Sequence, residues 1–240
     1  AARVLFATHL LSASVMAVPG SIVLAKMLCP QTEEATDHVA ISGKEKENSN
    51  ILDAISSGTV TGVKLMTNIA AMLLVFISLV ALANYITEGV IGRYTGLNDW
   101  IVKITDGKAQ GLTFQFILGV ITSPFMWLIG VPSQDIMLVG SLLGQKTILN
   151  EFVAYFQLQQ WKDAGLFMYE KSILMSTYIL CGFANISSIG ILLGGLGVLA
   201  PEKRGLISRI GVPAMIGGAL VSVLSATIIG MILGKLRIEN

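Results

Sequence analysis

Ile136-Met137-Leu138-Val139-Gly140-Ser141-Leu142-Leu143-Gly144-Gln145-Lys146-Thr147-Ile148-Leu149-Asn150-Glu151-Phe152-Val153-Ala154-Tyr155-Phe156 is hydrophobic along most of its length, yet it carries a lysine and a glutamate. The apolar pieces on either side of Gly144-Gln145-Lys146, residues 136–143 and 147–156, are each too short to cross a bilayer. A hydrocarbon core of roughly 30 Å takes about 20 helical residues. A re-entrant helical hairpin over residues 135–160 explains the pattern, with its polar tip at 144–146. Such a tip is tolerated only where it is buried in protein or lines water. The alternative is one ordinary span that tolerates a Lys and a Glu.

The surrounding sequence reads as membrane protein. Uncharged runs cover residues 4–25, 65–87, 109–134, 172–201 and 210–234, and each exceeds the ~20 residues a spanning helix needs. The spans they predict are 4–28, 65–92, 112–131, 172–200 and 210–234, with kinks at Pro19 and Pro124. Membrane strands would instead be short segments alternating apolar and polar residues. The 240 residues include only 16 basic and 15 acidic side chains, and the mean hydropathy is +0.74. Charged residues make up 13%, about half of what clothes a soluble domain. Six prolines and two cysteines exclude collagen and a disulfide scaffold, and a net charge of +1 leaves no basic footprint for nucleic acid. The fold class is therefore an all-α polytopic membrane protein. Cys29 and Cys181 have no partnering motif and read as small apolar side chains.

Residues 29–64 form a charged, aqueous loop, and within it 50–64 suggests a short helix lying at the membrane interface. Tyr94, Trp100 and Trp127 suit an interfacial belt. The chain opens Ala1-Ala2-Arg3 and enters a hydrophobic run at once, so it is read as beginning part-way through a larger protein. No zinc-protease, nucleophile-elbow or phosphate-loop motif is present, and His9 and His38 are the only histidines. An enzyme is not expected, nor a cofactor or a metal site.

Two places could carry chemistry. Glu151 lies in an apolar stretch, where a carboxylate is costly unless it faces a cavity or a partner; the other reading is a Glu near a helix end reaching water. Residues 172–200 are uncharged but interrupted at Gly182-Phe183-Ala184-Asn185-Ile186-Ser187-Ser188-Ile189-Gly190. Asn185 and Ser188 share a helical face, and flanking glycines would let the backbone unwind between 182 and 190. A discontinuous helix of this kind builds transporter sites; the competing reading is interhelical hydrogen-bonding glue. Phe183 could stack on a planar ligand or simply face lipid.

Together, Asn150-Glu151-Phe152-Val153-Ala154-Tyr155 and Gly182-Phe183-Ala184-Asn185-Ile186-Ser187-Ser188 resemble the concentrative nucleoside transporter family, bacterial type. Leu5-Phe6-Ala7-Thr8-His9-Leu10-Leu11-Ser12-Ala13-Ser14 extends the resemblance over nearly the whole chain. It implies a symporter that couples nucleoside import to Na+ or H+. The protein would be built of inverted repeats with two re-entrant hairpins, assembled as a homotrimer and multi-pass in the inner membrane. This chain would be the C-terminal portion. Glu151 would bind ribose hydroxyls, with Phe183, Asn185 and Ser188 lining the nucleoside site. The base-reading hairpin and the sodium site would belong to the N-terminal half. Gln31-Thr32-Glu33 is only superficially like the first hairpin's motif, since it lies in the charged loop after Pro30. A transporter of another small polar solute, a channel and a structural subunit stay open as alternatives.

Overall fold

The computed structural model describes residues 2–30, 50–105, 107–199 and 201–234, and its described elements are helical. Most of the expected charged loop, including Gln31-Thr32-Glu33, lies outside the described residues. Helix α1 (Ala2–Leu28) passes through Pro19 without ending. Its Ser12 and Ser14 hydroxyls donate back to the carbonyls of Thr8 and Leu10, so these polar groups are satisfied within an apolar helix.

Helix α2 (Ile51–Asn84) starts at Asn50, whose extended backbone and side-chain carbonyl cap the amide of Asp53 at 2.9 Å. It then runs without a break, so the separate interfacial helix expected at 50–64 is instead the first part of the same helix. The reason is energetic: Gly58 and Gly62 each cost about 1 kcal/mol relative to Ala, too little to end a well-capped helix that continues into an apolar run. At 34 residues it measures about 51 Å at 1.5 Å per residue. A π-helical segment, Tyr85–Gly92, and a single turn, α3 (Arg93–Thr95), follow. Gly96 ends the run in the left-handed region at φ 72°, as helix C-terminal glycines do. The short α4 (Leu97–Ile104) buries Ile101 and leaves Trp100 exposed.

The core is built by the second half of the chain. Helix α5 (Phe114–Leu128), capped by Thr113, lies along α6 (Ile136–Ile148). In lipid there is no hydrophobic drive between helices, so close van der Waals packing at small residues takes its place. Gly140 and Gly144 are that seam. A Cβ at Gly140 would come 2.6 Å from the Thr122 hydroxyl, and one at Gly144 would come 2.6 Å from the Leu118 Cβ. Helix α7 (Glu151–Asp163) folds onto α6 after a two-residue turn. Helices α8 (Glu170–Leu180) and α9 (Ile186–Leu199) are separated by a non-helical stretch. A 3-10 turn, Pro201–Lys203, leads into α10 (Arg204–Leu233), which packs on α1, α8 and α9. Met126, Val139, Leu142, Ala154, Met175, Ile179, Leu180 and Ala226 are completely buried among these elements.

Two of the described helical stretches, Ala7–Leu28 and Arg204–Leu233, are long and apolar enough to cross a membrane by length and composition. Apolar side chains such as Leu11, Val15, Ile22, Leu74 and Met231 point outward from α1, α2 and α10.

The turn expected at 144–146 is elsewhere. Helix α6 continues to Ile148, and the backbone reverses at Leu149 and Asn150. Gly144 is committed to packing on α5, while the Leu149 amide still reaches the Gln145 carbonyl at 2.8 Å. Asn150 then supplies a strong N-cap, its side chain accepting from the Val153 amide at 3.0 Å. At the other end of α6, the fully buried Asp135 accepts from the amides of Met168 and Tyr169 at 3.0 and 3.1 Å and from Lys108 at 3.4 Å. It gives the start of α8 acceptors that the Tyr169 side chain cannot.

Candidate functional site

The long apolar run at 172–200 breaks over residues 181–185, inside the expected interval except for Cys181, and Gly190 stays helical. The local chemistry explains why the helix restarts at once. Asn185 accepts from the Ser188 amide through its side-chain carbonyl at 2.7 Å. Ser188 answers by accepting from the Asn185 amide at 3.2 Å, and its hydroxyl donates to the Asn185 carbonyl at 2.6 Å. This reciprocal pairing has the logic of a capping box, with serine in the third helical position.

On α7 the capping place belongs to Asn150, and Glu151 is the first helical residue after it. The two helix starts meet: the Asn185 side-chain amide donates to Glu151 Oε2 at 2.6 Å. Glu151 is 8% exposed, Asn185 0% and Ser188 2%. An ionised carboxylate is favoured at a helix N-terminus, where free N–H groups carry partial positive charge. Here it sits at one such terminus and is hydrogen-bonded by the capping residue of a second. Among the described residues, Asn185 is its side-chain hydrogen-bond partner, through Oε2, so Oε1 stands ready to accept from a ligand. A carboxylate offers about four lone-pair sites.

Of the four residues singled out from sequence, the structure brings Glu151, Asn185 and Ser188 together. Phe183 belongs to the same break, but the residue is 52% exposed. Other polar groups tie the region together and had drawn no functional reading. Tyr155 on α7 donates to the Thr177 carbonyl of α8 at 2.9 Å. Lys146, completely buried, donates to the Ile179 carbonyl at 2.7 Å and to Ser222 of α10 at 3.0 Å. Its signal in the sequence was a lone cation inside an apolar stretch; its partners lie 33 and 76 residues away. Cys181, at the start of the break, donates to the Leu10 carbonyl of α1 at 3.5 Å. A shallow cleft of about 390 Å³ beside the π-helical segment, lined by Asn84, Tyr85, Glu88, Arg93 and Asn98, contains none of these residues.

Comparison with known proteins shows the family to which the chain belongs. The family model described as Na+ dependent nucleoside transporter C-terminus matches residues 9–230. An uncharacterized transporter of Haemophilus influenzae is 39% identical over 230 residues, covering 95% of this chain and 52% of that protein. The nucleoside permease NupC of Helicobacter pylori is 36% identical over 228 residues, covering 94% of this chain and 51% of that protein. The sodium/nucleoside cotransporter 1 of Rattus norvegicus is 37% identical, covering 94% and 35% respectively. Among solved structures, CNTnw in an inward-facing substrate-bound state superposes with a TM-score of 0.77 at 36% identity, covering 93% of this chain and 49% of that one. The chain thus spans about half the length of the bacterial relatives it matches, or less for the mammalian one. Over that span it belongs to the Na+ dependent nucleoside transporter family, a family of membrane transporters and not of enzymes.

Proposed function

We propose that the protein carrying this chain is a cation-coupled nucleoside symporter and that this portion holds the sugar. The observation that carries the reading is the Glu151–Asn185 hydrogen bond, made where two helices start inside an apolar body. A ribose presents two vicinal hydroxyls. The free oxygen of Glu151 accepts from them, and charge-assisted bonds of this kind are stronger than neutral ones. Asn185 orients the carboxylate while capping α9, and Ser188 holds Asn185 in place. Phe183, exposed beside the break, is positioned to meet the nucleoside from the side open to the rest of the protein.

In this reading α6 and α7 form a re-entrant hairpin with its tip at Leu149–Asn150, and the tip faces the broken α8–α9 helix. The protein is a homotrimer in the bacterial inner membrane. Base contacts and the coupling cation, Na+ or H+, are held by the half this chain does not include. Half-helices converging on one solute with their N-terminal ends are the usual construction of transporter sites.

Uptake of labelled uridine into vesicles containing the full-length protein tests this. Saturable uptake that collapses with the cation gradient supports the symporter. Linear flux indicates a channel, and no flux indicates a structural subunit. Competition by unrelated polar solutes would point to a different cargo.

A further inference from the structure

Among the described residues, Lys146 is the largest completely buried side chain, and nucleoside binding as proposed above leaves it without a role. Burying an ammonium at membrane depth is costly, so such a residue calls for a specific role. Its surroundings supply one. Ile179 lies in the last turn of α8, where its carbonyl would bond the amide of residue 183 if the helix continued. The break removes that partner, and the Lys146 ammonium takes its place at 2.7 Å. The second acceptor is the Ser222 hydroxyl of α10 at 3.0 Å. Gly182, the second residue of the break, keeps the space open: a Cβ there would collide with the Ser222 hydroxyl and lie 3.4 Å from the ammonium nitrogen.

A positive charge coordinated by a freed carbonyl at the C-terminal end of a half-helix, and by a neighbouring hydroxyl, is the environment transporters build for a bound monovalent cation. Here the charge is covalently attached, one helical turn before Asn150. The same two segments are therefore joined twice: by Lys146 to the end of α8 before the break, and by Glu151 to Asn185 at the start of α9 after it.

We propose that Lys146 is a tethered cation: its ammonium stands where a monovalent ion would otherwise hold the broken end of α8, and as a positioning residue it keeps Asn185 against Glu151. The proposal rests on the nucleoside-site reading above. It implies that this half of the protein needs no ion of its own and that the hairpin tip, the break and α10 move as one body.

The test is uridine affinity in the full-length protein, measured on variants that elute as folded protein. Lys146→Ala empties the ammonium position and is expected to weaken uridine binding by about tenfold or more, as loss of a charged hydrogen bond does. Added methylammonium should restore most of it. Lys146→Met fills the space without charge and should be as weak as Lys146→Ala, with no rescue. Ser222→Ala removes one acceptor, is the mildest change, and should cost roughly threefold; it decides the matter if neither lysine variant folds. Wild-type affinity in Lys146→Ala or in Ser222→Ala overturns the proposal, as does a folded Lys146→Ala that methylammonium does not rescue. Glu151→Gln serves as the control. If it too binds uridine normally, the nucleoside-site reading has failed; if it binds weakly while Lys146→Ala binds normally, only the tethered-cation proposal has.

Discussion

Replacing Glu151 by glutamine keeps the shape of the side chain and removes its charge, and the structure fixes what that should cost. The Asn185 side-chain amide can still donate to the glutamine oxygen that replaces Oε2, so the 2.6 Å contact survives as a neutral bond. The other position becomes an NH2 group, which can no longer accept from a ribose hydroxyl. A charged hydrogen bond contributes about 1.5–3 kcal/mol and a neutral one about 0.5–1.5 kcal/mol. Exchanging two charged ribose bonds for neutral ones, in which the NH2 group donates to the hydroxyl oxygens, therefore costs about 2 kcal/mol, a fall in affinity of roughly thirtyfold. Calorimetric titration of uridine into the purified full-length protein reads this directly. 2′-Deoxyuridine and 3′-deoxyuridine should lose less on mutation than uridine, because each has one fewer bond to weaken. Unchanged uridine affinity in Glu151→Gln, or an equal loss for all three sugars, would refute the reasoning.

Asn185→Ala removes the cap of α9 together with the hydrogen bond to Glu151; the cap alone is worth about 1 kcal/mol, and both melting temperature and uridine affinity should fall. Normal affinity would mean that Asn185 only caps. Gly182→Ala places a methyl group on the Ser222 hydroxyl, so overpacking should cost about 1–3 kcal/mol of stability, measured as a lower melting temperature, with Ser222→Gly added in the same protein restoring most of it. Cysteines at Gln134 and Lys162, both exposed, should react with a membrane-impermeant maleimide from the same side if α6 and α7 are re-entrant; labelling from opposite sides would make the pair a spanning segment.

Local sequence carried the break in the 172–200 run well, because its signals are short-range. Asn185 and Ser188 are three residues apart and cap each other, so the restart of the helix is written in adjacent residues. The hairpin tip was misplaced by five residues or so for the opposite reason. Gly144 looks like a helix breaker in isolation, but its missing side chain serves a seam with Leu118, 26 residues earlier. Asn150 followed by an acidic residue was the better signal, an N-cap with a carboxylate in the first turn. The single helix from Ile51 to Asn84 was hidden by a change from polar to apolar composition, which marks a change of surroundings and not of backbone. Lys146 and Asp135 were visible as charges at apolar positions, yet their roles depend on Ile179, Ser222 and the Met168 and Tyr169 amides. No local pattern names such distant partners.

The claim that Glu151 and Asn185 hold the sugar of a nucleoside is met most directly by a structure of the full-length protein with uridine bound. The ribose 2′ and 3′ hydroxyls should lie at ordinary hydrogen-bonding distance, about 2.5–3.0 Å, from the Glu151 carboxylate, with the Asn185 side chain still bonded to its other oxygen. Uridine bound with its ribose away from Glu151, or bound in a site that neither α7 nor the α8–α9 break lines, would contradict the account.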